Sequence, residues 1–193
     1  WIKKIAKEIK KEFPSIYLLI GGYHVSLLPE DGIEWFDAVC IGEGEKPTLE
    51  LIEQIEKRKI PEKIPNLWIR NNNIIEKNLP RPFLQVLDEL PFPDRKIWDK
   101  WINPGPVTKQ TVILGRGCPF QCTYCSNQGL RNIAPGNYVR YRSPQNVIEE
   151  IRQIIIDYPL VNDIYFEVET IGVNKKWAIS LCNELEILNS SLK

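Results

Sequence analysis

Three thiols lie within a span of eight positions in the run Gly115-Arg116-Gly117-Cys118-Pro119-Phe120-Gln121-Cys122-Thr123-Tyr124-Cys125-Ser126. Thiols so spaced on one loop can converge on a single centre, a metal ion or a cluster. A closed structural zinc site takes four ligands, usually as two paired Cys-x-x-Cys or Cys/His units. Three thiolates on a cubane iron–sulfur cluster instead leave one iron open to a further ligand. Three cysteines with no obvious fourth favour the open site. The alternatives are half of a zinc knuckle completed by Cys40, Cys182 or His24, and a set of redox-active thiols. A disulfide framework fits poorly, because five cysteines are an odd count and the chain is neither small nor dominated by loops. The cysteines imply a reducing compartment, and the expected location is cytoplasmic.

The spacing Cys-x-x-x-Cys-x-aromatic-Cys, directly after a hydrophobic strand, resembles the radical S-adenosylmethionine (SAM) superfamily. The fuller pattern Gly-x-Gly-Cys-Pro-x-x-Cys-x-Tyr-Cys resembles its cobalamin-binding-domain branch. The resemblance implies that Cys118, Cys122 and Cys125 hold a 4Fe-4S cluster whose open iron is chelated by the amino and carboxylate groups of SAM. One electron from such a cluster cleaves SAM to methionine and a 5'-deoxyadenosyl radical, chemistry that belongs to the cofactor. It also implies a reductant protein such as flavodoxin or ferredoxin as partner. Tyr124 matches the family's aromatic position near the adenine, although packing the loop onto the barrel would serve it equally well. After the second barrel strand the family carries Phe-x-Asp-Asp-x-Phe-Thr, where this chain has Phe166-Glu167-Val168-Glu169-Thr170. Val168 replaces the first acid, and Glu169 aligns with the second as the expected SAM-contacting carboxylate. Glu167 is the alternative if the register slips by one pleat.

An earlier stretch carries a second resemblance. Gly21-Gly22-Tyr23-His24, Pro29-Glu30 and Asp37-Ala38-Val39-Cys40-Ile41-Gly42-Glu43-Gly44-Glu45 resemble the C-terminal half of the cobalamin-binding domain of the same branch, and Leu87-Asp88-Glu89-Leu90-Pro91-Phe92-Pro93 resembles its interdomain segment. Paired glycines at the carboxyl end of a strand let backbone approach a bulky ligand with no Cβ in the way, at the edge where open α/β sheets bind ligands. Gly21 and Gly22 are therefore the expected contacts to cobalamin's nucleotide tail, although such a pair also makes a plain tight turn. His24, the only histidine, does not stand at the family's cobalt-ligand position and reads as a polar residue in a strand-end loop. Gly42 to Glu45 reads as turn geometry with acids near a helix N-terminus.

The elements that must position these residues are legible from periodicity. Ile2, Ile5, Ile9 and Phe13 lie opposite Lys3, Lys4, Lys7, Lys10 and Lys11, which predicts an amphipathic helix over 1–13. A strand Ile16 to Ile20, a short helix near Pro29 to Phe36, a strand Asp37 to Ile41 and a helix opening at Pro47 follow. Alternating strands and helices imply a parallel sheet. From Ile60 to Pro106 prolines become frequent, and two probable strands flank Asn71-Asn72-Asn73; this region reads as an ordered linker rather than a core element, with Phe83, Trp98 and Trp101 expected to pack on something. Strand Thr111 to Leu114 then delivers the cysteine loop, Ser143-Pro144 caps a helix running to Tyr158, and strand Asp163 to Val168 and a helix Asn174 to Leu188 close the chain. Cys40 and Cys182 are expected at a strand end and in helix packing.

Composition narrows the remaining classes. The chain has 193 residues, 43% hydrophobic and 26% charged, which is ordinary globular material. Lysine plus arginine balances aspartate plus glutamate at 25 each, so no bulk positive field points to nucleic acid. No stretch approaches the ~18 apolar residues of a membrane span. There is no methionine and the first residue is Trp1, which suggests a piece of a longer polypeptide. A full eight-fold barrel takes ~250 residues, so the barrel cannot close here.

The resulting expectation is an α/β chain joining the C-terminal part of a Rossmann-like cobalamin-binding domain (1–60), an interdomain linker (61–106) and the first βα units of a radical SAM, TIM-barrel-like domain (107–193). The intact protein would cleave SAM, commonly for methyl transfer, with oxidative cyclases as relatives, and this stretch would be inactive alone. The competing readings are a non-catalytic zinc-binding module and a degenerate domain that keeps the fold without binding cobalamin.

Overall fold

A computed structural model describes residues 1–102 and 105–191. The linker and C-terminal expectations that fall on 103–104 and 192–193 lie outside the described residues. The chain forms two compact units, one of residues 1–84 with 120–137, the other of 85–119 with 138–193.

In the first unit the lysine-rich stretch forms α1 (Ile2–Glu12), with Lys10 and Lys11 in its last turn where they oppose the helix dipole. Its exposed face is not idle, since the Lys7 ammonium stands 4.2 Å from the centre of the Trp35 ring. Next come β1 (Leu19–Ile20), α2 (Tyr23–Leu27), α3 (Glu30–Ile33), β2 (Ala38–Cys40), α4 (Glu45–Glu56), β3 (Leu67–Asn71) and β4 (Ile74–Lys77). They build a four-stranded sheet in the order β1-β2-β3-β4. Only the first pair is parallel; β2-β3 and β3-β4 are antiparallel. Every residue of β2 is buried, as a central strand covered on both faces requires.

Several elements depart from the sequence expectation. β1 and β2 are shorter than the apolar runs that announced them. α2 follows directly on the Gly-Gly turn, and Tyr-His-Val-Ser-Leu is too short to display a helical period. α4 opens two residues before Pro47, which still falls in the first turn, where its missing N–H is harmless. The hairpin β3-β4, read as lying in a linker outside the core, adds Leu67 and Ile69 to the buried cluster around Ala38, Cys40 and Leu51, which Ile64 joins from the segment ahead of it. Asn66, at φ 75°, lets the chain turn into β3.

The second unit holds a 3-10 turn (Leu87–Glu89), α5 (Lys96–Ile102), β5 (Lys109–Ile113), β6 (Gly115–Arg116), β7 (Arg140–Tyr141), α7 (Pro144–Asp157), β8 (Asp163–Glu167) and α8 (Lys175–Ser191). β5 and β8 pair in parallel with α7 between them in sequence, the expected βαβ arrangement. Ser143 caps α7 by accepting the Asn146 N–H, with Pro144 at the first helical position. Val112 and Leu114 bury one face of the pair against Val147, Ile148, Ile151 and Ile154 of α7 and Leu181 and Leu188 of α8. On the opposite face Thr111, Ile113, Tyr165 and Glu167 stay exposed. Trp98 and Trp101, expected to pack, are 58% and 75% exposed. No described helix is long and apolar enough to cross a membrane.

Candidate functional site

The cysteine loop begins where β5 ends, and two glycines fix its stem. β6 pairs antiparallel with β7, Gly115 opposite Tyr141 and Arg116 opposite Arg140. A Cβ on Gly117 would stand 2.1 Å from the Tyr138 carbonyl oxygen, and one on Gly115 would stand 2.5 Å from the Arg140 oxygen. Gly117 also sits at φ +83°. The Gly-x-Gly ahead of Cys118 therefore answers to strand approach and to a left-handed turn.

Charge holds the same stem from behind. Arg142 donates through Nη1 to the Ile113 oxygen at 3.0 Å, and its backbone N–H donates to the Leu114 oxygen at 3.0 Å. Arg95 donates to the Thr111 oxygen at 2.7 Å. Both guanidinium groups meet the Glu150 carboxylate, Arg95 at 2.5 Å and Arg142 through its other oxygen. Glu150 is only 1% exposed, a burial a carboxylate tolerates when both oxygens are paired. No sequence signal singled out Arg95 or Glu150, which stand 55 positions apart.

The outer part of the loop is gripped by a helix that the sequence did not announce, α6 (Asn127–Arg131). Gln128 donates to the oxygens of Gln121 at 2.8 Å and Cys122 at 3.0 Å, and Arg131 donates to the Phe120 oxygen at 3.3 Å. The Asn127 amide donates to the Cys125 Sγ at 3.3 Å. α6 rests on α2, where a Cβ on Gly129 would come within 2.7 Å of a Leu27 methyl. Position was the available clue, since Asn127 and Gln128 follow Cys125 almost at once.

Among the predicted ligands Cys122 is exposed, Cys118 and Cys125 are partly exposed, and no disulfide engages them. Among the described residues no three Cys, His, Asp or Glu side chains stand together as a metal-binding group. The donor set itself fits a thiolate-held cluster: three accessible, unbridged thiols on one loop, with an amide N–H directed at one sulfur.

Tyr124 is 91% exposed, so it does not pack the loop onto anything. Glu167, the last residue of β8, and Glu169, in the loop that follows, are both exposed. The loop bearing Glu169 is tied back by the Tyr141 hydroxyl, which donates to the Thr170 oxygen at 3.0 Å. Gly21 and Gly22 lie exposed at the end of β1; Gly22, at φ +104° with open space around it, needs glycine for its backbone angle alone. His24 Nε2 lies 2.8 Å from the Asp31 carboxylate, both exposed. Glu43, read as a turn acid, accepts the Leu84 N–H at 2.7 Å. Cys40 is buried at the strand end as expected, and burial, reinforced by the Glu45 carboxylate, pushes its thiol up to about 11. Cys182, expected in helix packing, is exposed.

Comparison with known proteins adds a family context. The chain is 33% identical over 185 residues to an uncharacterized methyltransferase of Pyrococcus horikoshii, covering 93% of this chain and 38% of that protein. It is 26% identical over 191 residues to the anaerobic magnesium-protoporphyrin IX monomethyl ester cyclase of Cereibacter sphaeroides, covering 94% of this chain and 30% of the cyclase. The fold matches the radical S-adenosylmethionine methyltransferase TsrM of Kitasatospora setae with a TM-score of 0.69 at 16% identity, over 98% of this chain and 36% of TsrM. TsrM has been solved with cobalamin and a [4Fe-4S] cluster bound. No family model matches the chain. The chain thus spans about a third of the length of these proteins.

Proposed function

We propose that this chain belongs to the cobalamin-binding-domain radical SAM proteins and that Cys118, Cys122 and Cys125 hold a 4Fe-4S cluster with one iron open to SAM. The observation that carries this reading is the cysteine loop itself, three unbridged thiols on a stem set by Gly115, Gly117 and the Arg95-Glu150-Arg142 triad. When bound, such a cluster supplies the electron that cleaves SAM to methionine and a 5'-deoxyadenosyl radical.

The remaining roles belong to this chain's own residues. Glu169 receives the SAM amino group, with Glu167 the alternative, and Tyr124 flanks the adenine. Gly21 and Gly22 give cobalamin's nucleotide tail access to backbone. Residues 1–60 carry the cobalamin-facing part and residues 107–193 the radical SAM part, joined through 61–106. In the whole protein the reaction is methyl transfer, as the names of the Pyrococcus and Kitasatospora proteins suggest, with oxidative cyclisation the second reading on the strength of the cyclase match. A flavodoxin- or ferredoxin-type donor reduces the cluster, and labile iron–sulfur chemistry suits the reducing cytoplasm.

Anaerobic reconstitution tests the proposal. About four irons with matching sulfide per chain support it, whereas one tightly held zinc would establish a structural zinc module instead. Changing Cys118, Cys122 or Cys125 to Ala removes the cluster absorbance, while Cys40→Ala and Cys182→Ala leave it in place. Loss of the cluster in either of the last two would overturn the three-ligand assignment.

A further inference from the structure

The role proposed for the three cysteines leaves Asn127 unassigned, and its placement supplies a role. α6 begins directly after the cysteine loop, and the Asn127 side-chain amide donates to Cys125 Sγ at 3.3 Å. The neighbouring side chains act differently: Gln128 and Arg131 grip backbone oxygens, whereas Asn127 addresses the sulfur of a proposed ligand. α6 is a fixed platform for that amide, with Leu130 buried and Gly129 closed against Leu27. The Ser126 side chain makes no capping bond, so the loop-to-helix junction does not depend on a polar cap at that residue.

An N–H aimed at a ligand thiolate draws electron density from the sulfur. It therefore favours the more negative, reduced state of whatever the thiolate binds, and hydrogen bonds to the sulfurs are among the determinants of cluster potential. Resting on the cluster reading, we propose that Asn127 is a positioning residue that raises the reduction potential of the cluster through Cys125. The step it modulates is uptake of one electron by the oxidised cluster from an external one-electron donor, with no bond made or broken at Asn127.

The test compares the full chain with its Asn127→Leu, Asn127→Asp and Asn127→Ser variants. Each is reconstituted with iron and sulfide, analysed for both, and titrated with dithionite under electron paramagnetic resonance detection. Asn127→Leu keeps the approximate shape and removes the donor. At a fixed potential its reduced-to-oxidised ratio falls roughly fivefold, the weight of one ordinary hydrogen bond, or about 40 mV to the negative for one electron. Asn127→Asp, which turns an acceptor and a negative charge toward the sulfur, shifts in the same direction and further, and reads the effect even if Asn127→Leu assembles poorly. Asn127→Ser, with a shorter donor, falls between wild type and Asn127→Leu. Full clusters with unchanged potentials in the Leu and Asp variants would make Asn127 a purely structural residue and overturn the inference. A wild-type chain that takes up no iron and sulfide would overturn the cluster reading itself, and this inference with it.

Discussion

After β2 the chain satisfies its backbone with neutral side chains, whereas after β5 it uses charge. At the first exit the Asn66 amide donates to the Ile41 oxygen at 2.8 Å and the Ser26 hydroxyl accepts the Gly42 N–H at 3.0 Å. At the second, Arg95 and Arg142 take the Thr111 and Ile113 oxygens and are neutralised by Glu150. Both exits adjoin a proposed ligand position, Gly21-Gly22 at the first and the stem of the cysteine loop at the second. A buried neutral network puts about one hydrogen bond at risk per side chain removed. A buried ion triad is a linked commitment, because removal of its one anion leaves two desolvated cations. The stem of the cysteine loop is thus fixed by an all-or-none device, and the glycine exit by separable parts.

The strongest way to break this contrast is Glu150→Ala. Leaving Arg95 and Arg142 buried without a counter-charge is expected to cost about 3–5 kcal/mol, read from the urea unfolding of the second unit. Glu150→Gln, which keeps one acceptor oxygen for one of the two guanidinium groups, should cost less. A loss below about 1 kcal/mol in Glu150→Ala, the range of an exposed pair, would show that water reaches the triad and that the two exits do not differ in kind.

The next largest effect concerns the neutral exit at high pH. The Cys40 thiol titrates at about 11 in the folded chain against 9.0 ordinarily, because burial and the Glu45 carboxylate disfavour its thiolate. The unfolded chain therefore releases this proton first. The stability contributed is fully present below pH 9 and is lost as pH rises through 11, on the order of 3 kcal/mol in all. Cys40→Ala should flatten this part of the alkaline stability profile measured by urea titration at successive pH values. An unchanged slope between pH 9 and 11 would mean that Cys40 already ionises near its ordinary value, and that the neutral exit is wetter than its burial indicates.

Much of this contrast could not be read from the sequence, for identifiable reasons. The three cysteines and the paired glycines announce themselves through their spacing, and the Ser143-Pro144 cap and the long helices through local chemistry and period, the last two of which the structure carries. The ion triad does not, because Arg95 and Glu150 are brought together only by tertiary packing across 55 positions. α2 and α6 have five residues each, too few for a period to appear. The β6-β7 pairing involves two residues per strand and is betrayed only by Gly115 and Gly117, which suit a turn equally well. The hairpin β3-β4 is hidden because the surrounding prolines speak for a linker, while the burial of Leu67 and Ile69 depends on β2 lying alongside. Asn127 carries no sequence signal, because asparagine after a ligand run has no pattern beyond adjacency, and its meaning rests on where one amide points.

Ser26→Ala sharpens the comparison on the neutral side. It leaves the Gly42 N–H without its acceptor in a buried setting, at an expected cost of about 1–3 kcal/mol, and Ser26→Thr should recover part of it by restoring the hydroxyl. Because the groups at this exit are separate, the loss should add to that of Cys40→Ala to within about 0.5 kcal/mol in a double-mutant cycle. A coupling beyond that would show that the neutral exit also behaves as a unit, erasing the distinction from the triad.

The smallest effect belongs to the outer cysteine loop. Gln128 holds the Gln121 and Cys122 oxygens, but it is exposed and water can replace it at both. Gln128→Ala should therefore lower global stability by no more than about 1 kcal/mol, while residues 120–125 exchange their amide hydrogens faster than in the wild type. The stem amides at 115–117 should keep their protection, since Gly115, Gly117 and the triad are untouched by the change. The prediction separates two ways in which this loop could be ordered. If exchange accelerates along the stem as well, the tip and the stem form one cooperative element, and the charged triad secures the whole loop rather than its base.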